Sequence, residues 1–275
     1  MTVRIERVVV ALDAISENRA AIDTAARLAA RWHARLQGIF VEDDDLLRLA
    51  NLPFAKQVSL GAGVEQLTLQ QAERQLRAFA EHARRDLADA ARRQGVAWSF
   101  DVMHGVAGAV SAGGSATDFF VAGTATRPIG AHFRTEHRWW SMVDPAATSF
   151  LLAARAWEAR GSVVALLRDR GPAAERLLDT AAQLAEVGGG RLTVVCPAEL
   201  AEAEGFGTWL GERLADCSAP VEIDVAPADP AALIRRIVEL DCRLVAISAG
   251  DMRAQPEKNL RSFVTNVGCD VLVVR

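Results

Sequence analysis

"RVVVALDAISENRAAIDTAARLAARWHARLQGIFVED", residues 7–43, holds a segment that occurs twice: "DTAARLA" at 23–29 returns as "DTAAQLA" at 179–185. The offset is 179 − 23 = 156, and it continues on both sides of the segment. Asp13 falls on Asp169, and Arg35-Leu36 fall on Arg191-Leu192. An offset shared by a strand, a helix and the next strand is the mark of a duplicated unit. The chain of 275 residues then divides into 1–157 and 158–275, each of ordinary domain size.

Within the first unit, short apolar runs alternate with helical patterns. "RVVVALD", "RLQGIFVED", "VAWSFDVMHG", "DFFVAG" and "SFLLAAR" read as strands. Ala20, Ile22, Ala25, Ala26, Leu28 and Ala29 recur at helical spacing behind Ser16, a capping residue. Residues 66–94 read as a long helix stopped by Gly95, and 106–116 as a short one. The second unit repeats the scheme with strands "SVVALLRD", "RLTVVCP", "PVEIDVAP", "RLVAIS" and "DVLVVR" and helices near 172–187, 202–216 and 229–240. Such alternation predicts an α/β fold: two tandem, doubly wound, mostly parallel five-stranded sheets. Ligands of such sheets sit beyond the carboxyl ends of the strands, where strand order reverses. Asp13 and Gly123 stand at strand ends of that kind.

Composition narrows the function. A net charge of −4 argues against a nucleic-acid partner. No window approaches the roughly 20 apolar residues of a membrane span, and the N-terminus reads directly as a strand, so the expected setting is cytoplasmic. The four cysteines, Cys196, Cys217, Cys242 and Cys269, lack metal-ligand spacing and read as small buried hydrophobes in a reducing compartment. The P-loop, HExxH and nucleophile-elbow patterns are absent, so neither a catalytic nor a metal site is expected.

The opening segment, with aspartate after strand one and an Ala/Leu-rich helix, resembles the universal stress protein family, in its tandem-domain form. The closing "CDVLVVR" at 269–275 resembles that family's "CPVLVVR", with Asp270 in the proline's place. The resemblance implies two domains packed as a pseudo-dimer, with last strands paired antiparallel, so that "SFLLAAR" lies beside "DVLVVR". It also implies a nucleotide loop after strand four, Gly-x-x-Gly, nine residues, then Gly-Ser/Thr. Here Gly123, Thr126, Glu136 and His137 take those four places in the first unit; Ser248, Asp251, Arg261 and Ser262 take them in the second. Glu136 and Asp251 put negative charge where phosphate would lie, and a like charge at about 4 Å costs on the order of 1–4 kcal/mol. Gly123 with Thr124, Thr126 and Arg127, and in the second unit Ser262, which matches, with Gly250 one place from its expected position, are what remains to hold an anion. On the adenine side the family's contacts fall on Asp13, Val41 and Asp169. For Asp13 a second reading stands beside this one: a cap at the start of the helix, favoured by the helix dipole.

Two further stretches stand out. Trp139 and Trp140 are neighbours and cannot share one helix face; they pack on the other domain or leave an apolar patch. Residues 46–59, "LLRLANLPFAKQVS", form either a lid over the strand ends or a docking surface. The leading reading is a non-catalytic stress-response protein with degenerate nucleotide sites, acting through a protein partner. The alternative is a sensor of ATP, another adenine nucleotide or another small anion in the first-domain cleft. An enzyme of the wider adenine-nucleotide-hydrolase-like group comes third. Association of whole chains into a further homodimer is left open.

Overall fold

The computed structural model describes residues 4–14, 18–42, 47–48, 51–52, 56–59, 63–66, 68–104, 117–123, 149–153, 161–227, 229–252, 263 and 266–274. Thr124, Thr126, Arg127, Ser262, Ser16, the short helix expected over 106–116, Glu136, His137, Trp139 and Trp140 lie outside these residues.

The first half contains β1 (Arg7–Leu12), α1 (Asn18–Trp32), β2 (Arg35–Glu42), β3 (Lys56–Ser59), β4 (Gly63–Gln66), α2 (Leu69–Gln94), β5 (Trp98–His104), β6 (Asp118–Gly123) and β7 (Ser149–Ala153). The second contains β8 (Ser162–Leu166), α3 (Pro172–Gly188), β9 (Leu192–Cys196), α4 (Ala198–Ala201), α5 (Phe206–Arg213), β10 (Val221–Val225), α6 (Pro230–Glu239), β11 (Cys242–Ser248), a 3-10 turn (Ala249–Met252) and β12 (Asp270–Val274).

The two five-stranded sheets expected from sequence are one. Ten strands run in the order β10-β9-β8-β11-β12-β7-β6-β1-β2-β5. Neighbours are parallel within each half, and the halves meet where β12 pairs antiparallel with β7, Val271 opposite Leu152 and Val274 opposite Ser149. Edge groups that each half would otherwise leave open are satisfied there. In both halves the first and fourth strands are neighbours, which puts the switch points at β1/β6 and β8/β11.

Helix phase explains the packing. α1 buries Ala21, Ile22, Ala25, Ala26, Leu28 and Ala29, and α3 buries their repeat counterparts Leu177, Leu178, Ala181, Ala182, Leu184 and Ala185. Ala20 lies at the margin of that face and is half-buried. Both helices cover the same side of the sheet and share one continuous core. α6 packs through Ile237 on the other side.

α2 opens on a capping box, in which the Thr68 hydroxyl accepts from Gln71 N–H and the Gln71 side chain accepts from Thr68 N–H. It stops at Gly95, whose φ of +66° suits glycine. The helix lies so close on β2 that a Cβ at Gly38 would come within 2.6 Å of Leu87 Cδ2. Within the stretch read as a lid or docking surface, Lys56–Ser59 forms β3 and pairs antiparallel with β4, a two-stranded ribbon apart from the main sheet. Among the described residues no helix is long and apolar enough to cross a membrane.

Candidate functional site

In the first half the strand ends bring Asp13, Val41 and Gly123 to the carboxyl edge of the sheet. β1 and β6 run in register from Arg7 opposite Asp118 to Ala11 opposite Ala122, so Asp13 and Gly123 flank the switch point. Val41 and Gly123 are buried, and Asp13 is half-buried. The described part of α1 begins at Asn18, five residues after Asp13. The backbone of Asp13 is tied to it. The Asn18 side-chain amide donates to the Asp13 carbonyl (2.7 Å), and its oxygen accepts from the Asp13 N–H (3.4 Å). One strand over, Glu42 at the end of β2 pairs with His104 Nδ1 at 2.8 Å. Two carboxylates, Asp13 and Glu42, therefore stand at this edge.

The second half presents a cleft of about 230 Å³ lined by Leu166, Arg168, Asp169, Ala173, Leu177, Ser248 and Gly250, among others. Its amides are used from within. The Asp169 carboxylate accepts from Gly171 N–H at 2.8 Å, and Ser248 Oγ accepts from Gly250 N–H at 3.2 Å. Gly171 is the N-cap of α3 and supplies no side chain of its own. The carboxylate of Asp169 sits where an anion would be drawn by the helix N-terminus.

The ladders correct one equivalence. Val8 pairs with Leu36, and Val163 pairs with Leu192. Leu36 and Leu192 are counterparts in the repeat, so Val8 corresponds to Val163 and Asp13 to Arg168, one place before Asp169. An extra residue in the turn after β8 absorbs the slip. By the same ladders Phe119 corresponds to Leu244, and Gly123 to Ser248 as the sequence implies. A cation thus replaces Asp13 in the second half, and Asp169 has become the turn residue beside it. Sequence reading missed the roles of Arg168 and Ser248. The signal for the turn was present in "DRG" at 169–171, an aspartate two residues before a glycine N–H.

At the opposite, amino edge of the first half a second cavity of about 510 Å³ is lined by Arg4, Arg7, His33, Arg35, Thr117 and Asp118, among others. Arg7 spans it as a fork on buried Asp118, with Nε donating to Oδ1 at 2.8 Å. Its Nη1 reaches Gln37 Oε1 at 3.0 Å, and Gln37 in turn donates to Asp101. The hydrogen bond to Asp118 raises the Arg7 pKa above its ordinary value. This network ties β6, β1, β2 and β5 together at the end away from the switch point. Among the described residues no group of three His, Cys, Asp or Glu side chains is placed to hold a metal.

No family model matches the chain, and no curated protein matches it. Solved structures do. A functionally unknown protein from Pseudomonas aeruginosa PAO1 superimposes with a TM-score of 0.61 at 16% identity, over 98% of this chain and 92% of that one. A universal stress protein from Archaeoglobus fulgidus DSM 4304 gives 0.59 at 13% identity, over 97% and 96%. The correspondence covers both halves of the chain, and it establishes that this chain has the fold of the universal stress proteins.

Proposed function

We propose that the chain is a tandem universal stress protein, with domains over 1–157 and 158–275, that acts in a stress response by binding a protein partner and not by catalysis. The observation that carries this reading is the occupied second-half cleft. Asp169 and Ser248 already take the amide protons of Gly171 and Gly250 at this strand-end edge. A phosphate entering beside Asp169 would meet a like charge, at a cost on the order of 1–4 kcal/mol near 4 Å. In the first half Asp13 and Glu42 bring two carboxylates to the same edge. The open end of the sheet at β10, where Val221, Ile223 and Val225 are 39–51% exposed, supports binding to another protein. The cytoplasmic setting expected from the sequence is part of this proposal.

A second reading rests on Asp13 and Gly123 flanking the first switch point: an adenine nucleotide held there with Val41. The thermal midpoint with and without millimolar Mg-ATP, ADP and AMP separates the two. A ligand at a hundred times its dissociation constant adds about 2.7 kcal/mol, a shift of several degrees for domains of this size. The expected result is a midpoint unchanged to about 1 °C. A shift of several degrees that disappears in Asp13→Ala and Gly123→Val would replace the partner-protein reading with the nucleotide sensor.

A further inference from the structure

The geometry points to a thiol-modification site at Cys242 and Cys269, a dithiol that a hydroperoxide converts to an intramolecular disulfide. Cys242 is the first residue of β11, and Cys269 immediately precedes β12, its parallel neighbour. The two sulfurs lie 3.7 Å apart, with the Cys269 thiol donating to Cys242 Sγ. Neighbouring strands are about 4.8 Å apart, within the roughly 4.4–6.8 Å Cα separation that a disulfide spans. Closure to about 2.05 Å needs side-chain rotation and a small local shift. On the other side of β11, its ladder with β8 is irregular between Cys242 and Leu244.

Exposure sets the order of events. Cys242 is partly exposed, whereas Cys269 is only 5% exposed. The Cys242 sulfur attacks the peroxide, the O–O bond breaks, and Cys242 becomes a sulfenic acid as its proton leaves in water. The Cys269 sulfur then attacks the Cys242 sulfur, the S–O bond breaks, and a second water carries away the hydroxyl and the Cys269 proton. One hydrogen peroxide is reduced and two thiols are oxidised. Pairing with the Cys269 sulfur, and then burial, hold the Cys242 thiol well above its ordinary pKa. The other two cysteines are placed differently: Cys196 is fully buried, and the Cys217 thiol donates to the Ala219 carbonyl.

The test treats the full chain with millimolar hydrogen peroxide and maps tryptic peptides without reduction. Fragments 237–243 and 262–275 are expected to appear joined, two hydrogens lighter than their sum, with two of the four thiols lost and both restored by dithiothreitol. The Cys269→Ser variant is expected to leave Cys242 as a sulfenic acid that dimedone labels, while Cys196→Ser and Cys217→Ser still form the joined fragment. Four thiols surviving, a link through Cys217 to another chain, or Cys242 driven to sulfinic acid with Cys269 still reduced would each overturn the proposal. The wild-type map decides alone if a variant fails to fold.

Discussion

Between their second and third strands the two halves part company. In the first, α2 runs for 26 residues and buries Ala72, Leu76, Ala80, Ala83, Leu87, Ala90 and Ala91. In the second the same interval holds α4 and α5, of four and eight residues, and α5 buries only Phe206 and Leu210. The strands beneath record the difference. Gly38 faces Leu87, and Phe100 beside it in the ladder packs against the core. At the corresponding places stand Val194 and Ile223, and Ile223 is 51% exposed. Here the long helix seats Leu87 where β2 gives up a side chain at Gly38. Where the helix shortens, the strand regains its valine, and Ile223 is exposed where Phe100 is packed, although both edge strands carry exposed side chains at their other outward positions. The sheet was copied between the halves, but its cover was not.

Four substitutions press on this contrast. The largest effect is expected from Leu87→Ala, at about 3 kcal/mol for a fully buried leucine, read from the urea midpoint. Gly38→Val, which installs the residue of the second half, overpacks the same contact and costs about 2 kcal/mol. The double variant should cost less than the sum by at least about 1 kcal/mol, because the alanine vacates the space that the valine needs. Strict additivity would mean that the helix is not seated through this contact. Next comes Thr68→Ala, which removes the capping hydroxyl of α2 and is expected to cost about 1 kcal/mol. An effect near zero would show the helix to be held by packing alone. The smallest is Ile223→Lys, within about 0.5 kcal/mol for a half-exposed side chain. A cost of 2 kcal/mol or more would show that this edge is covered in solution and that the contrast between the halves is weaker than it looks.

What was legible in the sequence follows from periodicity. Helical spacing has a phase, so the buried faces of α1 and α3 match residue for residue at the offset first read from "DTAARLA". The runs "VVVAL" and "VVALL" have no such phase. Strands buried on both faces are apolar throughout, and nothing in them tells one register from the next. That is why Asp13 was paired with Asp169, and why only the ladders reveal Arg168 in its place. Strand-end positions for Asp13 and Gly123 could be read because sheets of this type gather their sites there. Contacts made across the sheet could not. Arg7 and Asp118 are 111 residues apart, and Cys242 and Cys269 meet only because β11 and β12 are neighbours. The β3–β4 ribbon escaped because "KQVS" and "GVEQ" are too short and too polar to show an alternation.

The antiparallel junction has a consequence for how the chain is made. β7 ends at Ala153, and the strand that covers it begins only at Asp270. At the roughly 5–20 residues per second of synthesis, the intervening chain takes on the order of ten seconds to appear. Throughout that interval the β7 edge of the first half stays open, apolar on both faces, and closing it must await a contact of long sequence separation, which is slow to form. A neighbouring chain that already displays a free β12 offers that edge the same hydrogen bonds. Crowded translation of this protein therefore favours strand exchange between nascent copies, and the seam that unites the two halves is also the point at which two molecules can become entangled.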